Sequence, residues 1–480
     1  MEPGTHRGRA AGQPDEPPAA APPAPPEPPE LPAPPEPPAL PEPPGPSAPP
    51  APPAGGVGAL VDHLFRHSAG QMVATLTRIL GPRNLSLAEE VVQDALVRAI
   101  ETWPHRGVPE NPRAWLMQVA RNRALDCLRR EASHARKAGE LAADPMHAPV
   151  PPGPVAPADL LDPLDPAAPA ADDSLVMILM CCHPALAREA QVALTLKTVG
   201  GFSVDEIARA FLLRSATVAQ RLVRAKRLLR ERRIAFALPA RGLGTRIDSA
   251  LETIYLLFNE GYAATAGDDL VRSDLCGEAV RLASILAEHP ATARPEVHAL
   301  LALMLFQASR LPARCDAESA LVLLADQDRR LWDRALIGRA LGHLERSAGG
   351  ERATAYHLEA GIAACHAMAP SYAETDWAQI LAYYDDRLAL APSPVIVLNR
   401  AVALSMVEGP RAGIAALAEV AEDTRLRDYY LLPATLADLW LRCGERQAAA
   451  VYYRRALELS CSEPERRFLL RRLAACEPCS

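Results

Sequence analysis

The sequence predicts an all-α, multidomain protein, and three observations carry that expectation. From Val57 onward, apolar residues recur at the three- and four-residue spacing of amphipathic helices. Aromatic residues make up only 5% of the 480, while Ala and Leu are plentiful, which favours helices over sheets. Helix punctuation marks the periodic stretches: a capping box at Ser203 and Glu206, and a Gly81-Pro82 stop. The length suits roughly two to four domains.

Residues 1–56 are a near-repeat of Pro, Ala and Glu that buries nothing and prefers polyproline II, so a disordered tail is expected there. Leu60, Val61, Leu64 and Phe65 begin an amphipathic helix, and Val73, Leu76, Ile79 and Leu80 continue in a second pattern. A helix from Ser86 places Val92, Ala95, Leu96, Ala99 and Trp103 inward and Glu89, Glu90, Gln93, Asp94 and Arg98 outward. After the loop from Pro104 to Pro112, a basic helix carries Arg113, Arg121, Arg123, Arg129 and Arg130 around Leu116, Val119 and Ala120. Trp115 adds an aromatic surface on which a base can stack.

No Lys or Arg occurs between Ala138 and Ala187, whereas carboxylates from Glu140 to Asp173 stand among Pro and Ala, the composition of an acidic flexible linker. Apolar helices are expected at Leu175–Met180 and Ala187–Val199. Next comes the stretch that organises the chain, Phe202 to Arg233, which reads as a helix-turn-helix. Ser203 and Glu206 start its first helix, and Ser215 is placed as the N-cap of the second. On that second helix Val218, Leu222, Ala225 and Leu229 share a packing face, leaving Thr217, Gln220, Arg221 and Arg224 free to read. Such a helix fits the major groove, where Arg pairs with guanine and Gln with adenine, while Arg214, Lys226 and Arg227 hold phosphates.

A net charge of −7 argues against indiscriminate nucleic-acid binding, but the bases gather in the two islands just described. Ten scattered cysteines fit free thiols in a reducing compartment. Cys181-Cys182-His183 lacks further ligands nearby and reads as buried structural thiols, and Cys476 and Cys479 form a lone CxxC pair. Neither a cofactor nor a metal is expected. No apolar run is long enough to span a bilayer and no secretory leader opens the chain, so the expected location is cytoplasmic, with no membrane partner.

The order of motifs resembles the extracytoplasmic-function class of bacterial sigma factors: AEEVVQD, then WLMQVARNRALDCLRR, a linker, and GGFSVDEIARAFLLRSATVAQRLVRAKRLLR. The resemblance covers residues 57 to 236 and departs at Arg214-Ser215-Ala216-Thr217, where many members carry a Gly before Thr-Val. It implies a sigma-2 helical bundle at 57–137, a linker at 138–173 that threads a positively charged polymerase channel, and a sigma-4 helix-turn-helix at 174–236. It further implies that Glu89, Glu90, Gln93, Asp94 and Arg98 bind core RNA polymerase at the clamp helices of the largest subunit, the flap being a second contact. Trp115, Arg121, Asn122, Arg123, Asp126, Arg129 and Arg130 would open the upstream edge of the promoter bubble and capture an unstacked base. Arg214, Ser215, Thr217, Gln220, Arg221, Arg224, Lys226 and Arg227 would bind the upstream promoter DNA.

Residues 237–480 exceed what such a sigma factor needs, and helical patterns recur at Ile247–Tyr262, Leu275–Glu288, Val297–Ser309, Leu331–Arg346 and Ala355–His366. Ala437, Trp440, Gly444, Ala449, Tyr453 and Ala456 occupy the interlocking positions of a tetratricopeptide-like repeat, and Gly409 lies about one repeat of 34 residues earlier. The segments FNEGYAAT, DLCGEAVRLASIL, TDWAQI and SPVIVLNRAVAL resemble the sigma-factor subgroup with a C-terminal tetratricopeptide-like extension. A stacked array has a concave face for an unknown protein or peptide partner; the plainer alternative is a structural cap on sigma-4. Glu260 and Asp376 stand in dense signatures but lack a nucleophile, metal cluster or phosphate loop, so an enzyme is not expected. The expected function is a polymerase sigma subunit regulated by its C-terminal helical domain. A helix-turn-helix regulator acting without polymerase, and a tetratricopeptide scaffold, are the alternatives.

Overall fold

The computed structural model describes residues 57–142, 170–211, 213–239, 241–263, 271–316, 320–459 and 462–476. The Pro-rich tail at 1–56, the middle of the linker and Cys479 lie outside the described residues. Among those described, eighteen α-helices form, and β structure is limited to one bridge between Cys315 and Leu321.

The first three helices are α1 (Val57–Leu80), α2 (Leu85–Arg106) and α3 (Pro112–Ala142). The two patterns expected over the first segment are one continuous helix, because Ala69, Met72 and Val73 bury across the gap between them. Gly70, within that gap, is fixed by packing: a Cβ there would lie 2.0 Å from the carbonyl oxygen of Val199. Helix α2 overruns the expected loop start, enclosing Pro104 in its last turn before Gly107 turns the chain at φ 83°.

Next come α4 (Ala170–Cys181), α5 (Arg188–Thr198), α6 (Val204–Ala210) and α7 (Ser215–Glu231). Every residue from Leu175 to Cys182 is buried, so this stretch is enclosed on all sides, by α1, α5 and two helices from beyond the helix-turn-helix. Those are α8 (Leu243–Tyr262) and α9 (Ser273–Glu288), followed by α10 (Pro295–Ala308), α11 (Arg334–Ser347) and α12 (Ala355–Met368). One hydrophobic core runs without a break from Ala69 to Ala367. It crosses all three boundaries expected on sequence within that span, 137/138, 173/174 and 236/237.

The remainder, α13 (Trp377–Leu390), α14 (Pro394–Val407), α15 (Pro410–Ala418), α16 (Leu431–Arg442), α17 (Arg446–Leu457) and α18 (Glu463–Ala474), stacks as successive hairpins over smaller clusters. Gly409 and Gly444 occupy equivalent turns, between α14 and α15 and between α16 and α17, with φ of 96° and 84°. A side chain is strained in that region of backbone space, which is why both turns use glycine. Ala437, Ala449, Tyr453 and Ala456 interlock in the last cluster, with Trp440 packed against them.

Candidate nucleic-acid interface

The helix-turn-helix is set by its first cap. Ser203 Oγ accepts the Glu206 amide at 3.1 Å while Glu206 Oε2 accepts the Ser203 amide at 2.8 Å, satisfying two orphan donors of α6 together. The second cap differs from expectation. Arg214 is the N-cap of α7, and Ser215, its first helical residue, donates its hydroxyl to Asp205 Oδ1 at 2.5 Å, tying the two helices together. Val218, Leu222, Ala225 and Leu229 bury as their spacing requires.

On the far side of α7, Arg214, Ser215, Gln220, Arg224 and Arg227 are exposed, and Thr217 is half-buried. Arg227 leans on Glu231 at 3.4 Å. Two members of the expected DNA surface lie elsewhere. Arg221 is half-buried and lines an apolar cavity of about 580 Å3 between α5, α6, α7 and α8, with Phe211, Leu213 and Leu256. Lys226 turns away from the reading face, and its ammonium pairs with the Glu89 carboxylate of α2.

That pair also corrects Glu89, which is buried rather than outward and accepts a further hydrogen bond from Thr198 Oγ1 at 2.9 Å. The reason is helical arithmetic: Glu89 follows Leu85 by four residues and precedes Val92 by three, so it shares their inward stripe. Glu90, Gln93 and Arg98 remain on the exposed side of α2. Val97 and Ile100 join them at 55% and 53% exposure, an apolar pair that a search for charged contacts passes over. Asp94, expected to face polymerase, and Arg123, expected to face DNA, meet at 3.0 Å across α2 and α3.

Around the start of α3, Trp115 is half-buried and meets Trp103 edge-on, ring centres 5.5 Å apart at 61°. The two indoles, with Arg98, His105, Arg106 and Val108, line an open cleft of about 640 Å3. Trp103 reads in sequence only as a core residue; its place at the end of α2, across the loop from Trp115, is the signal that joins them. Asn122 is exposed and accepts from Gln118 Nε2 at 3.0 Å; Asp126 and Arg129 lie 3.6 Å apart, Arg130 is exposed, and Arg121 is half-buried.

The end of the expected linker is anchored. Asp173 is buried, pairs with Arg78 at 2.8 Å and accepts from Thr75 at 3.0 Å, so this carboxylate belongs to the packing of α4 on α1. Burial holds the thiols of Cys181 and Cys182 above their ordinary range, and Cys182 contacts Thr195 Oγ1 at 3.5 Å. Asp376 caps α13 by accepting the Gln379 amide at 2.9 Å, and Glu260 is buried against the cavity of Arg221. Among the described residues no cluster of His, Cys, Asp and Glu could hold a metal ion, and no helix is long and apolar enough to cross a membrane.

Three family models match the chain: Sigma-70 region 2 over residues 64–134, Sigma-70 region 4 over 177–229, and a family of unknown function, DUF6596, over 246–348. The first two fall on the Trp115 cleft and the helix-turn-helix. An uncharacterized protein of Rhizobium meliloti (strain 1021) is 40% identical over 401 residues, spanning 82% of this chain and 92% of the relative. No solved structure matches.

Proposed function

The chain belongs to the sigma-70 family of RNA polymerase sigma factors and carries a C-terminal extension, and from that premise we propose that it is a member of the extracytoplasmic-function class whose helical extension regulates promoter use. A sigma factor brings core RNA polymerase to promoter DNA. The observation that carries the reading is the pairing, on one chain, of a helix-turn-helix whose second helix exposes Gln220, Arg224 and Arg227 with an aromatic cleft bordered by cations. A regulator that only reads duplex DNA has no use for the second.

In this reading Gln220 and Arg224 contact base edges of the upstream element, and Arg214, Ser215 and Arg227 contact phosphates. Thr217 flanks that face and reaches DNA from its side, whereas Arg221 lines the cavity against α8 and lies off it. Near the start site an unpaired base leaves the stack and lodges against Trp115, with Arg121, Asn122, Arg123, Asp126, Arg129 and Arg130 along the strand. Glu90, Gln93, Asp94 and Arg98 grip the polymerase. Glu89 and Lys226 become available to polymerase and DNA only if the seam between α2 and α7 opens. The protein acts in the cytoplasm, where its polymerase is.

Support for regulation comes from how the extension is held. Arg188 of α5 donates to the Ser249 carbonyl at 2.7 Å and to Thr253 Oγ1 at 3.3 Å on α8. Arg281 of α9, paired with the buried Glu278, donates to the Val199 carbonyl at 3.3 Å. A shift of α8 or α9 therefore moves the scaffold of the reading helix directly. Reconstitution with core polymerase on a genomic promoter library tests the proposal. Transcription from defined start sites is expected, whereas duplex binding without polymerase would make the chain a simple regulator, and binding to neither would leave a scaffold.

A further inference from the structure

Helix α7 buries Val218, Leu222, Ala225 and Leu229, which fixes the opposite stripe as Ala216, Gln220, Val223 and Arg227, with Arg224 beside it. All five are exposed. Val223, at 67%, is the most exposed large apolar side chain among the described residues. A lone exposed valine is ordinary on a protein surface. This one sits between Gln220 and Arg227, one turn from each, with Arg224 beside it. A β-branched residue also loses rotamer freedom in a helix, so a solvated position gains nothing from it.

We propose that Val223 is a specificity-determining residue that reads the 5-methyl group of a thymine in the upstream promoter element, alongside adenine read by Gln220. The inference rests on α7 being the promoter-reading helix and adds to it a base preference at a position no hydrogen-bonding side chain reads. In the major groove thymine presents an acceptor and a methyl group, and a side chain with no polar atom distinguishes the methyl by burying it. Residues three apart on a helix have Cβ atoms about 5–6 Å apart. Base pairs follow at about 3.4 Å. When Gln220 is bidentate on an adenine, the valine methyls lie over the thymine of that pair or of its neighbour.

The test uses holoenzyme assembled from core polymerase and the full chain on its selected promoter, replacing each upstream thymine in turn with deoxyuridine, which removes only the methyl. One position is expected to lose about three- to four-fold in affinity, the factor that burying one methyl supplies. Val223→Ala, which should fold normally at an exposed helical site, is expected to lose the same factor on the thymine promoter and to show no further loss on the deoxyuridine one. A deoxyuridine penalty that persists in full in Val223→Ala overturns the inference, as does an upstream element with no A·T pair or no thymine whose methyl matters. Arg224→Ala separates the two levels. If it relaxes base preference while Val223 and the methyl remain uncoupled, only this inference falls; if neither Arg224→Ala nor Gln220→Ala alters base preference, the reading of α7 falls with it.

Discussion

Lys226 and Glu89 form an ion pair in the seam between α7 and α2, where their side chains are only 16% and 11% exposed. One comes from the second helix of the helix-turn-helix, in the Sigma-70 region 4 match, and the other from α2, in the region 2 match, so each region gives up a charge to hold the other in place. Nearby, Gly70 lets the backbone of α1 touch the end of α5, and Asp173 ties α4 to Arg78 and Thr75. These contacts make the two matched sigma regions one packed body.

Removing one partner of a buried pair strands the other charge, which costs about 3 kcal/mol or more, whereas removing both leaves no unpaired charge. Lys226→Ala and Glu89→Ala should each lower the unfolding free energy in urea by about that amount, and the double variant should lose clearly less than the sum of the two. Strict additivity, or single variants as stable as the parent, would show that the pair does not hold the seam.

The histidines of the extension give a stability that depends on pH. Burial first, then Arg346, His298 and Arg339, push His343 down to about 4; burial, then Arg310 and Arg329, do the same to His366. His343 also stacks on His298, Nδ1 to Nδ1 at 3.1 Å, where two charged rings would repel. In the unfolded chain these imidazoles titrate near 6.5 and bind protons that the folded protein refuses. Their contribution is therefore complete above about pH 6.5 and lost as pH falls toward about 4. Urea midpoints between pH 7.5 and pH 4.5 should fall, and His343→Asn or His366→Asn should fall less; parallel curves would remove these residues as the cause.

At the Trp115 cleft the expected defect is in strand opening. Asn122→Ala changes an exposed side chain and should leave polymerase binding intact while reducing permanganate reactivity of thymines at the upstream bubble edge. Trp115→Ala should do the same more severely, with circular dichroism confirming the fold, because the ring also packs on Trp103. Full reactivity in both variants would take the cleft out of promoter melting.

Most of the helices were legible in the sequence, because apolar spacing is local, though the cap expected at Ser215 lies one residue earlier and the first two patterns are one helix. Gln220, Arg224 and Arg227 were legible for the same reason: the buried stripe of α7 fixes what lies opposite. Lys226 was not, since its partner stands 137 residues earlier and periodicity says which face buries, never against what. Nor was Arg221, whose half-burial depends on α8 lying across the motif. One hint was available. Leu175 to Met180 is apolar all round, and such a helix needs cover on every side. The helix-turn-helix alone cannot supply it, so the run called for partners from α1, α8 and α9.

The shared core decides how the extension must be cut to learn what it does. Truncation after Phe236 follows the apparent end of the sigma regions, but it would strip α8 and α9 from α4 and α5. Leu175, Ile178, Leu194 and Leu196, each fully buried in the intact protein, belong to the core that this cut divides. Exposing several such side chains costs about 1.5–3 kcal/mol each, as much as a typical domain's whole stability. The expected result is therefore aggregation or loss of cooperative unfolding, and absent transcription from that fragment would say nothing about regulation. A cut after Pro370 keeps the core from Ala69 to Ala367 and the carbonyls of His366 and Ala369 that Arg329 binds at 2.7 Å. It removes the hairpins from α13 onward and gives up their contacts with α12, among them Ile362 on Ile380, the Glu359–Arg387 ion pair and the His366–Trp377 ring contact. That fragment should unfold cooperatively and bind core polymerase. If the distal array regulates, its transcription will differ from that of the intact chain, higher if the array restrains the factor and lower if it makes a contact the holoenzyme needs. Equal transcription from the same promoters by a folded fragment would remove the regulatory role of the array.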